Sequence, residues 1–300
     1  TTVELSNKIE FIGDSLSAGY GNLGSRGEAW SVKNSSATEA YPYKTAALLG
    51  ADYSVVAWSG ICTKVYMWSD INMSMLYGWD SYSNREAYSF DDEPDVIVIN
   101  LGTNEANYIY DGHKEYDSER MFEDYFEFLN SVRSKNPNAY IICLYGVAGE
   151  HPAIREGIEM AVALMGDKVV FNPFEFIPNG SGAVGHPTAQ ANDAWAEELA
   201  KYIKCKHNLK VAIYSGRPDV ECDFYKIFDY IKVGEYKEEF GPLNRKTTNQ
   251  RLYEVLSNNI IDITYKFWDL GEHHEESSRS GGDFAINFNS FKFNSFILSD

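Results

Sequence analysis

The amino-acid sequence predicts an α/β fold, a three-layer sandwich with a central parallel sheet between two layers of helices. Two observations carry this prediction. Short apolar runs alternate, over the first 205 residues, with segments whose apolar residues recur every three or four positions, as strands and amphipathic helices do. Residues 95–102 (DVIVINLG) are apolar almost without interruption, which is typical of a parallel strand covered on both faces.

The predicted elements follow one another in strand–helix order. Strands are predicted over Lys8–Gly13, 54–60, 95–102, 139–145 and 168–171. Helices are predicted over Tyr41–Leu49, Ser118–Lys135, 154–165 and 188–203. Because crossover connections make neighbouring strands parallel, the carboxyl ends of these strands meet at one edge of the sheet, where sites form in such folds.

A domain boundary is predicted near residues 204–210, so that the first domain covers residues 1–205. A small α/β appendage is predicted over residues 206–270. In it, 211–215, 231–233 and 260–268 read as strands and 222–230 as a helix. The tail, 271–300, is rich in Ser, Asn and Phe and has no helical period, which predicts a poorly ordered or edge-adding segment.

The composition narrows the classes of partner. The net charge is −18 at pH 7, which disfavours nucleic acids and anionic membranes as partners. None of the four cysteines lies in a CxxC pair, so the sequence gives no support for a zinc or iron–sulfur site, and we expect no cofactor. Tyr, Phe and Trp are abundant, which fits either aromatic packing or stacking on sugar rings.

Two short motifs follow predicted strands and carry polar groups suited to acyl transfer. Ser15 lies in Gly13–Ser17 (GDSLS) after the first strand, where a tight turn can present its hydroxyl to solvent, although a serine there can also cap the next helix. Asn104 lies in GTNE after the third strand, where its side-chain amide can donate to a developing oxyanion.

Two further residues complete the predicted site. Gly60 ends the run SVVAWSG, and a glycine lets a backbone N–H approach a ligand closely. His186 lies in GHP before the last helix of the domain, where a late loop can return to the strand ends. A serine hydroxyl needs such a neighbouring base to act as a nucleophile.

These motifs in this order resemble the four blocks of the SGNH/GDSL hydrolases. Within that superfamily, PDVIVINLGTNEANYI, IICLYGVAGE and GAVGHPTAQAN resemble the carbohydrate esterase family 2 acetyl esterases, over about residues 7–204. The resemblance implies a flavodoxin-like SGNH hydrolase fold, Ser15 as nucleophile and His186 as base. It also implies an oxyanion hole formed by Ser15 N–H, Gly60 N–H and Asn104.

The sequence departs from the superfamily pattern at the third member of the triad. An acid usually stands three residues before the histidine, and this chain has Ala183 there. The resemblance to family 2 implies a Ser–His dyad whose imidazole is oriented by the carbonyl of Gly185 or a neighbour. Glu175 and Asp167 are less favoured substitutes. Family 2 enzymes also usually carry a β-sandwich ahead of this domain, and here the sequence begins at the first hydrolase strand.

The predicted reaction is hydrolysis of an O-acetyl ester on a saccharide through an acetyl-serine intermediate. Candidate platforms for a sugar ring are Trp58, Trp68, Trp79 and Tyr108, which follow strand ends but can equally pack a long loop onto the domain. The expected partner is an acetylated saccharide, with no nucleic acid and no membrane. We expect a secreted or cell-surface bacterial protein, with a cytoplasmic location as the alternative.

Residues 209–268 resemble a different family, in LKVAIYSGRPD, FDYIKVGEYKEEFGPLNRKTTNQRLYEV and DITYKFW. These stretches are similar to the C-terminal part of anaerobic ribonucleotide reductase activating proteins, which are radical S-adenosylmethionine enzymes. The triple-cysteine motif of that family is absent, and Cys205 and Cys222 do not match it, so no radical chemistry is expected.

Two other functions remain open at this point. The first is a lipid-type or aryl-type GDSL acylhydrolase, which an aliphatic rather than an indole-lined groove would favour. The second is a non-catalytic carbohydrate-binding protein on the same fold. It would gain support if Ser15 and His186 lay beyond about 4–5 Å, too far apart for proton transfer.

Overall fold

The computed structural model describes residues 7–146, 148–172, 181–216, 227–256 and 259–268, and the backbone of 295–297. The chain divides into two compact units, Thr1–Tyr202 and Ile203–Asp300. The assignment of residues 206–270 to an appendage and of 271–300 to a tail stays a prediction. No helix in the described ranges is long and apolar enough to cross a membrane.

The first unit is built on a five-stranded parallel sheet with strand order β2-β1-β3-β4-β5. The strands are β1 Lys8–Gly13, β2 Asp52–Ala57, β3 Val96–Asn100, β4 Tyr140–Leu144 and β5 Val169–Phe171. β3 and β4 are buried along their whole length, which is why they are apolar without alternation. This architecture confirms the predicted α/β fold class.

In the described ranges up to residue 207, seven α-helices connect and cover the strands. They are α1 Ser15–Ala18, α2 Tyr41–Leu49, α3 Met73–Leu76, α4 Thr103–Tyr110, α5 Ser118–Lys135, α6 Pro152–Leu164 and α7 Ala189–His207. α5 begins where the Asp117 side chain accepts the Arg120 N–H, and it ends in a turn that carries Arg133 and Lys135.

The sheet has a hydrophobic core on each face because side chains alternate along the strands. Ile97 and Ile99 belong to the cluster that contains Tyr125 and Phe128 of α5. On the other face, the ring of Phe11 packs edge-on against Tyr41 of α2 at 5.9 Å. Tyr41 in turn contacts Trp195 of α7 at 6.3 Å. Helices therefore cover both faces, and the strand ends at one edge remain free to form a site.

The second unit contains a five-stranded mixed sheet with strand order β10-β6-β7-β8-β9. Its strands are β6 Ala212–Tyr214, β7 Tyr230–Val233, β8 Arg251–Leu256, β9 Asn259–Asp262 and β10 Ser295–Ile297. β10 runs parallel to β6 at the edge of this sheet, so these three residues of the predicted tail add a strand.

Sequence reasoning was wrong about two elements of this unit. It missed β8, and it extended the strand at 260–268 too far, since β9 ends at Asp262 and a 3-10 helix follows over Thr264–Phe267. The Asp262 carboxylate accepts the Thr264 N–H at 2.8 Å, which turns the chain out of the strand. Of the helix predicted over 222–230, residues 222–226 lie outside the described ranges, and Tyr230 begins β7.

Candidate active site

A cavity of about 510 Å³ opens in the first unit where β1, β2 and β3 end. Five separate stretches of chain line it: α1 and the turn after it, the loop after β2, the start of α4, the loop after β4 and the loop before α7. Among its lining residues are Ser15, Tyr20, Gly60, Trp68, Asn104 and His186. The structure therefore brings together the residues that the sequence predicted for the nucleophile, the base and the oxyanion hole. They are up to 171 positions apart in the sequence, and they are Ser15, Gly60, Asn104 and His186.

Ser15 and His186 are in direct contact. The distance from Ser15 Oγ to His186 Nε2 is 2.8 Å. Ser15 is the first residue of α1, and the buried carboxylate of Asp14 caps that helix by accepting the Leu16 N–H at 2.9 Å. The cap fixes the turn after β1, and the turn holds the Ser15 side chain at the cavity wall.

The backbone carbonyl of Val184 contacts the other nitrogen of the imidazole. Val184 O lies 3.3 Å from His186 Nδ1. A proton on Nδ1 is then directed to this carbonyl, which leaves Nε2 free to accept the proton of the Ser15 hydroxyl. Burial lowers the pKa of His186, so the ring is neutral near pH 7 and able to act as a base. The orienting carbonyl is thus that of Val184, the neighbour of Gly185.

The position usually held by an acid is occupied by tightly packed alanine. Ala183 is fully buried and donates its N–H to Gly21 O at 3.0 Å. Its Cβ would lie 2.6 Å from a Cβ at Gly24 and 3.2 Å from one at Gly21, so the alanine packs closely against two glycines of the loop after α1. Asp167 precedes β5 at the opposite edge of the sheet, and Glu175 lies outside the described residues.

Val184 has a strained backbone. Its φ is 54°, in the left-handed region, within a short 3-10 turn over Ala183–Gly185. The turn is closed by the Gly182 N–H, which donates to His186 O at 2.7 Å. A β-branched residue in this region costs roughly 1–3 kcal/mol, so the surrounding bonds hold the carbonyl against that strain.

Replacing Val184 with glycine should raise the free energy of unfolding by about 0.5–1.5 kcal/mol, because glycine adopts positive φ without strain. The matched control is Val32→Gly. Val32 is 77% exposed and its φ is not positive, so glycine there should cost about 0.5–1 kcal/mol. Urea unfolding measures both variants. Equal destabilisation of the two would contradict a strained Val184.

Two backbone N–H groups of the cavity wall are unused. In the described part of the chain, the N–H groups of Ser15 and Gly60 donate no hydrogen bond. Gly60 has φ 79°, and a Cβ there would lie 3.1 Å from Trp68 Cβ. Only glycine therefore fits both the backbone conformation and the close packing of the tryptophan. The geometry leaves two donors available to a bound anion.

Asn104 lines the cavity, and its side-chain amide donates to two acceptors of the protein itself. Its Nδ2 donates to Ile61 O at 2.7 Å and to Asp14 Oδ2 at 3.2 Å. The cause is the buried carboxyl of Asp14, which takes hydrogen bonds from the donors nearest to it. In this structure Asn104 joins α4 to the loop after β2 and to the turn before Ser15.

Two buried carboxyl groups lie beneath the cavity. Burial raises the pKa of Asp14 to about 7. Burial also raises the pKa of Glu105, whose Oε1 accepts the Thr63 N–H at 2.6 Å. Each group fixes one wall of the site, Asp14 the start of α1 and Glu105 the loop after β2. Among the described residues, no group of side chains is arranged to hold a metal ion.

The four predicted aromatic platforms have different environments. Trp68 lines the cavity and is 63% exposed, which leaves much of its indole accessible. Trp58 stacks on Tyr82 at 4.3 Å and is not a lining residue of the cavity. Trp79 and Tyr108 pack against the hydrophobic core. Of the four, only Trp68 lines the cavity that also contains the predicted nucleophile and base.

Sequence reasoning missed Tyr20. Its ring centroid lies 4.6 Å from that of His186, and Tyr20 stacks on Trp30 at 5.3 Å. The signal was present in the sequence, because Tyr20 lies in the same block, GDSLSAGYG, as Ser15. The chain turns back after the short helix α1, so that Tyr20, five residues beyond the predicted nucleophile, also lines the cavity.

Residues 11–210 match the GDSL-like lipase/acylhydrolase family, and the match takes in two thirds of the chain. The chain therefore belongs to this family, as its sequence motifs indicated. A cellulase/esterase of Acetivibrio thermocellus is 30% identical over 232 residues, which cover 67% of this chain and 26% of that protein. An acetylxylan esterase/glucomannan deacetylase of Cellvibrio japonicus is 26% identical over 220 residues, which cover 67% and 60%.

Solved structures show the same likeness. A family two carbohydrate esterase from Clostridium thermocellum in complex with cellohexaose has 29% identity and a TM-score of 0.62, covering 69% of this chain and 66% of that chain. The chain spans about a quarter of the length of the Acetivibrio thermocellus protein and 60% of the length of the Cellvibrio japonicus protein. These likenesses confirm the similarity to the family 2 carbohydrate esterases.

Proposed function

We propose that this protein is a serine esterase that removes O-acetyl groups from a carbohydrate, with Ser15 as nucleophile and His186 as general base. The 2.8 Å contact between Ser15 Oγ and His186 Nε2 is the observation that carries the proposal. It lies well inside the distance for direct proton transfer, which weighs against a non-catalytic binding protein. The family membership of the chain supports the same reaction class.

The reaction takes place in two halves. Ser15 Oγ attacks the acetyl carbonyl carbon while its proton passes to His186 Nε2. The tetrahedral oxyanion accepts hydrogen bonds from the N–H groups of Ser15 and Gly60, and Asn104 adds a third where its Nδ2 exchanges Ile61 O for the oxyanion. The C–O bond to the sugar then breaks, and the sugar oxygen takes the proton from Nε2.

The acetyl-serine intermediate is hydrolysed by the same groups. A water molecule gives a proton to His186 Nε2 and attacks the acetyl carbon. The second tetrahedral intermediate collapses, Ser15 Oγ regains the proton, and acetic acid leaves and ionises to acetate in solution. In both halves the Val184 carbonyl holds the imidazole in the tautomer that accepts at Nε2. The steps need no cofactor.

The saccharide class of the substrate rests on Trp68 and on the relatives. An exposed indole beside the proposed nucleophile suits stacking on a pyranose ring. The relatives include an acetylxylan esterase/glucomannan deacetylase and an esterase complexed with cellohexaose. A secreted or cell-surface bacterial enzyme fits such a substrate. The resemblance of residues 209–268 to a reductase activating protein stays a prediction.

A panel of substrates tests this proposal. We expect faster hydrolysis of 4-nitrophenyl acetate than of 4-nitrophenyl octanoate, together with acetate release from acetylated xylan or glucomannan. Trp68→Ala should raise KM for the polysaccharide about 3- to 10-fold, because a stacking contact is lost. Tyr66→Ala is the control, because Tyr66 is 55% exposed and does not line the cavity. Faster turnover of octanoate would favour the lipid-type acylhydrolase instead.

A further inference from the structure

The proposed base has no carboxylate partner among the described residues. Its ring nitrogens contact Ser15 Oγ and Val184 O there, and the backbone carbonyl of Ala183 also raises the pKa of the ring. In a Ser–His–Asp triad, the acid stabilises the imidazolium that forms when the histidine takes the proton of the serine. A carbonyl 3.3 Å from Nδ1 supplies only part of that stabilisation, since a neutral acceptor is weaker than a charged one. A further group that attracts the imidazolium would add to this stabilisation.

Tyr20 presents an aromatic ring to the imidazole from the side of the cavity. The two centroids are 4.6 Å apart and the ring planes make an angle of 40°. Behind Tyr20, Trp30 stacks nearly parallel, at 15°, which restricts the tyrosine ring to this place. A cation within about 6 Å of an aromatic centroid is stabilised by about 0.5–2 kcal/mol, most strongly where water is excluded.

We propose that Tyr20 is a positioning residue whose ring stabilises the protonated form of His186, where the described residues place no carboxylate against the imidazole. The inference rests on the proposed function, in which His186 takes the proton of Ser15. The ring has little effect on the neutral imidazole and attracts the imidazolium. It therefore lowers the free energy of the charged transition state relative to the resting enzyme, as differential stabilisation requires.

The other titratable groups around the ring do not supply this charge. Asp14, buried below Ser15, accepts from Leu16 N–H and from Asn104. The exposed Glu28 carboxylate accepts the Ser25 N–H. Apart from His186, the lining residues that belong to the described ranges include no ionisable side chain other than Tyr20. Ser15, which contacts Nε2, gives its proton to the ring and so is not a separate source of stabilisation for the imidazolium.

The test measures the pKa of His186 and the rate together. Tyr20→Leu keeps an apolar side chain beside the imidazole and removes the aromatic face. It should lower the pKa of His186, followed by NMR in the folded enzyme, by roughly 0.4 to 1.5, and kcat for 4-nitrophenyl acetate by roughly 2- to 30-fold. The acidic limb of kcat/KM should move to lower pH. Tyr20→Phe should retain both values.

Fluorinated phenylalanines at position 20 provide a second test that leaves the shape of the ring unchanged. Each added fluorine weakens the negative face, so the pKa of His186 should fall in steps. Tyr110→Leu is the control for both series, because Tyr110 packs edge-on against a different histidine, His151, at 5.3 Å.

Two results would overturn the inference. The first is a pKa of His186 that rises or stays constant in Tyr20→Leu, which is what a merely structural role predicts, since loosening the site would admit water. The second is an equal loss in Tyr20→Phe, which would assign the effect to the hydroxyl. NMR measures the pKa of His186 without turnover, so its result does not depend on the assay of activity. An unchanged pKa in Tyr20→Leu would refute the role of Tyr20, whereas activity that survives in Ser15→Ala would refute the proposed nucleophile.

Discussion

Replacement of Ser15 by alanine is expected to lower kcat for acetyl ester hydrolysis by about 10⁴- to 10⁶-fold, since the proposed reaction has no other nucleophile. The residual rate would come from the N–H groups of Ser15 and Gly60 and from substrate binding, which the substitution leaves intact. The fold should persist, because Ser15 Oγ contacts the imidazole at the cavity wall and carries no part of the core. Initial rates with 4-nitrophenyl acetate measure the loss.

The matched control for this variant is Ser17→Ala on the same helix. Ser17 Oγ is buried and lies 2.7 Å from the Tyr41 hydroxyl, so its removal should cost about 1–3 kcal/mol of stability while the rate is kept. The two serines thus have opposite expected profiles, one in rate and one in stability. Wild-type activity in Ser15→Ala would remove Ser15 as the nucleophile.

Replacement of His186 by glutamine is expected to lower kcat by a similar factor, about 10⁴ or more, because an amide can hydrogen-bond to Ser15 but cannot accept its proton. The effect of the double variant with Ser15→Ala should be no larger than that of either single variant, since the two groups act as a unit. Stopped assays over several hours measure rates this low.

The control for the histidine variant is His113→Gln. His113 lies in the turn beyond α4, where its ring stacks on Tyr108 and not on a lining residue of the cavity. The His113→Gln variant should therefore retain the wild-type rate. If His186→Gln keeps most of the wild-type rate, a different base serves Ser15. If the losses of the two single variants add up in the double variant, the two groups act independently, and either result would show that the proposed dyad is wrong.

The main chain of the first unit was largely predictable because its signals are local. A run such as VIVIN in β3 is buried on both faces and has to be apolar throughout. The motifs GDS, GTNE and GHP follow or precede such elements, so topology alone brings them to one edge of the sheet. Ser15, Gly60, Asn104 and His186 meet there as the order of the elements requires.

Contacts between loops were not predictable, because they depend on geometry that the sequence pattern does not encode. Nothing local indicates that Asn104 gives its amide hydrogens to Ile61 and Asp14. The left-handed conformation of Val184 is likewise imposed by the closed turn around it and runs against the preference of a β-branched residue. Both features depend on how two distant loops pack together.

The aromatic residues illustrate the same limit. Trp68 and Trp79 lie in one long stretch after β2, and no local sequence signal distinguishes their environments. The structure places Trp68 beside Gly60 at the cavity, whereas Trp79 packs against the core and receives Arg85 over its ring at 5.0 Å. Burial of an indole is decided by where the loop crosses the sheet, which is a property of the whole fold.

Mass spectrometry of enzyme quenched during turnover tests the central claim most directly. With 4-nitrophenyl acetate in excess, the peptide that contains Ser15 should carry one acetyl group in the wild-type enzyme and none in Ser15→Ala. An acetyl group on another residue and none on Ser15 in the wild-type enzyme, or an acetyl group on the corresponding peptide of the Ser15→Ala variant, would contradict an acetyl-serine intermediate formed at Ser15.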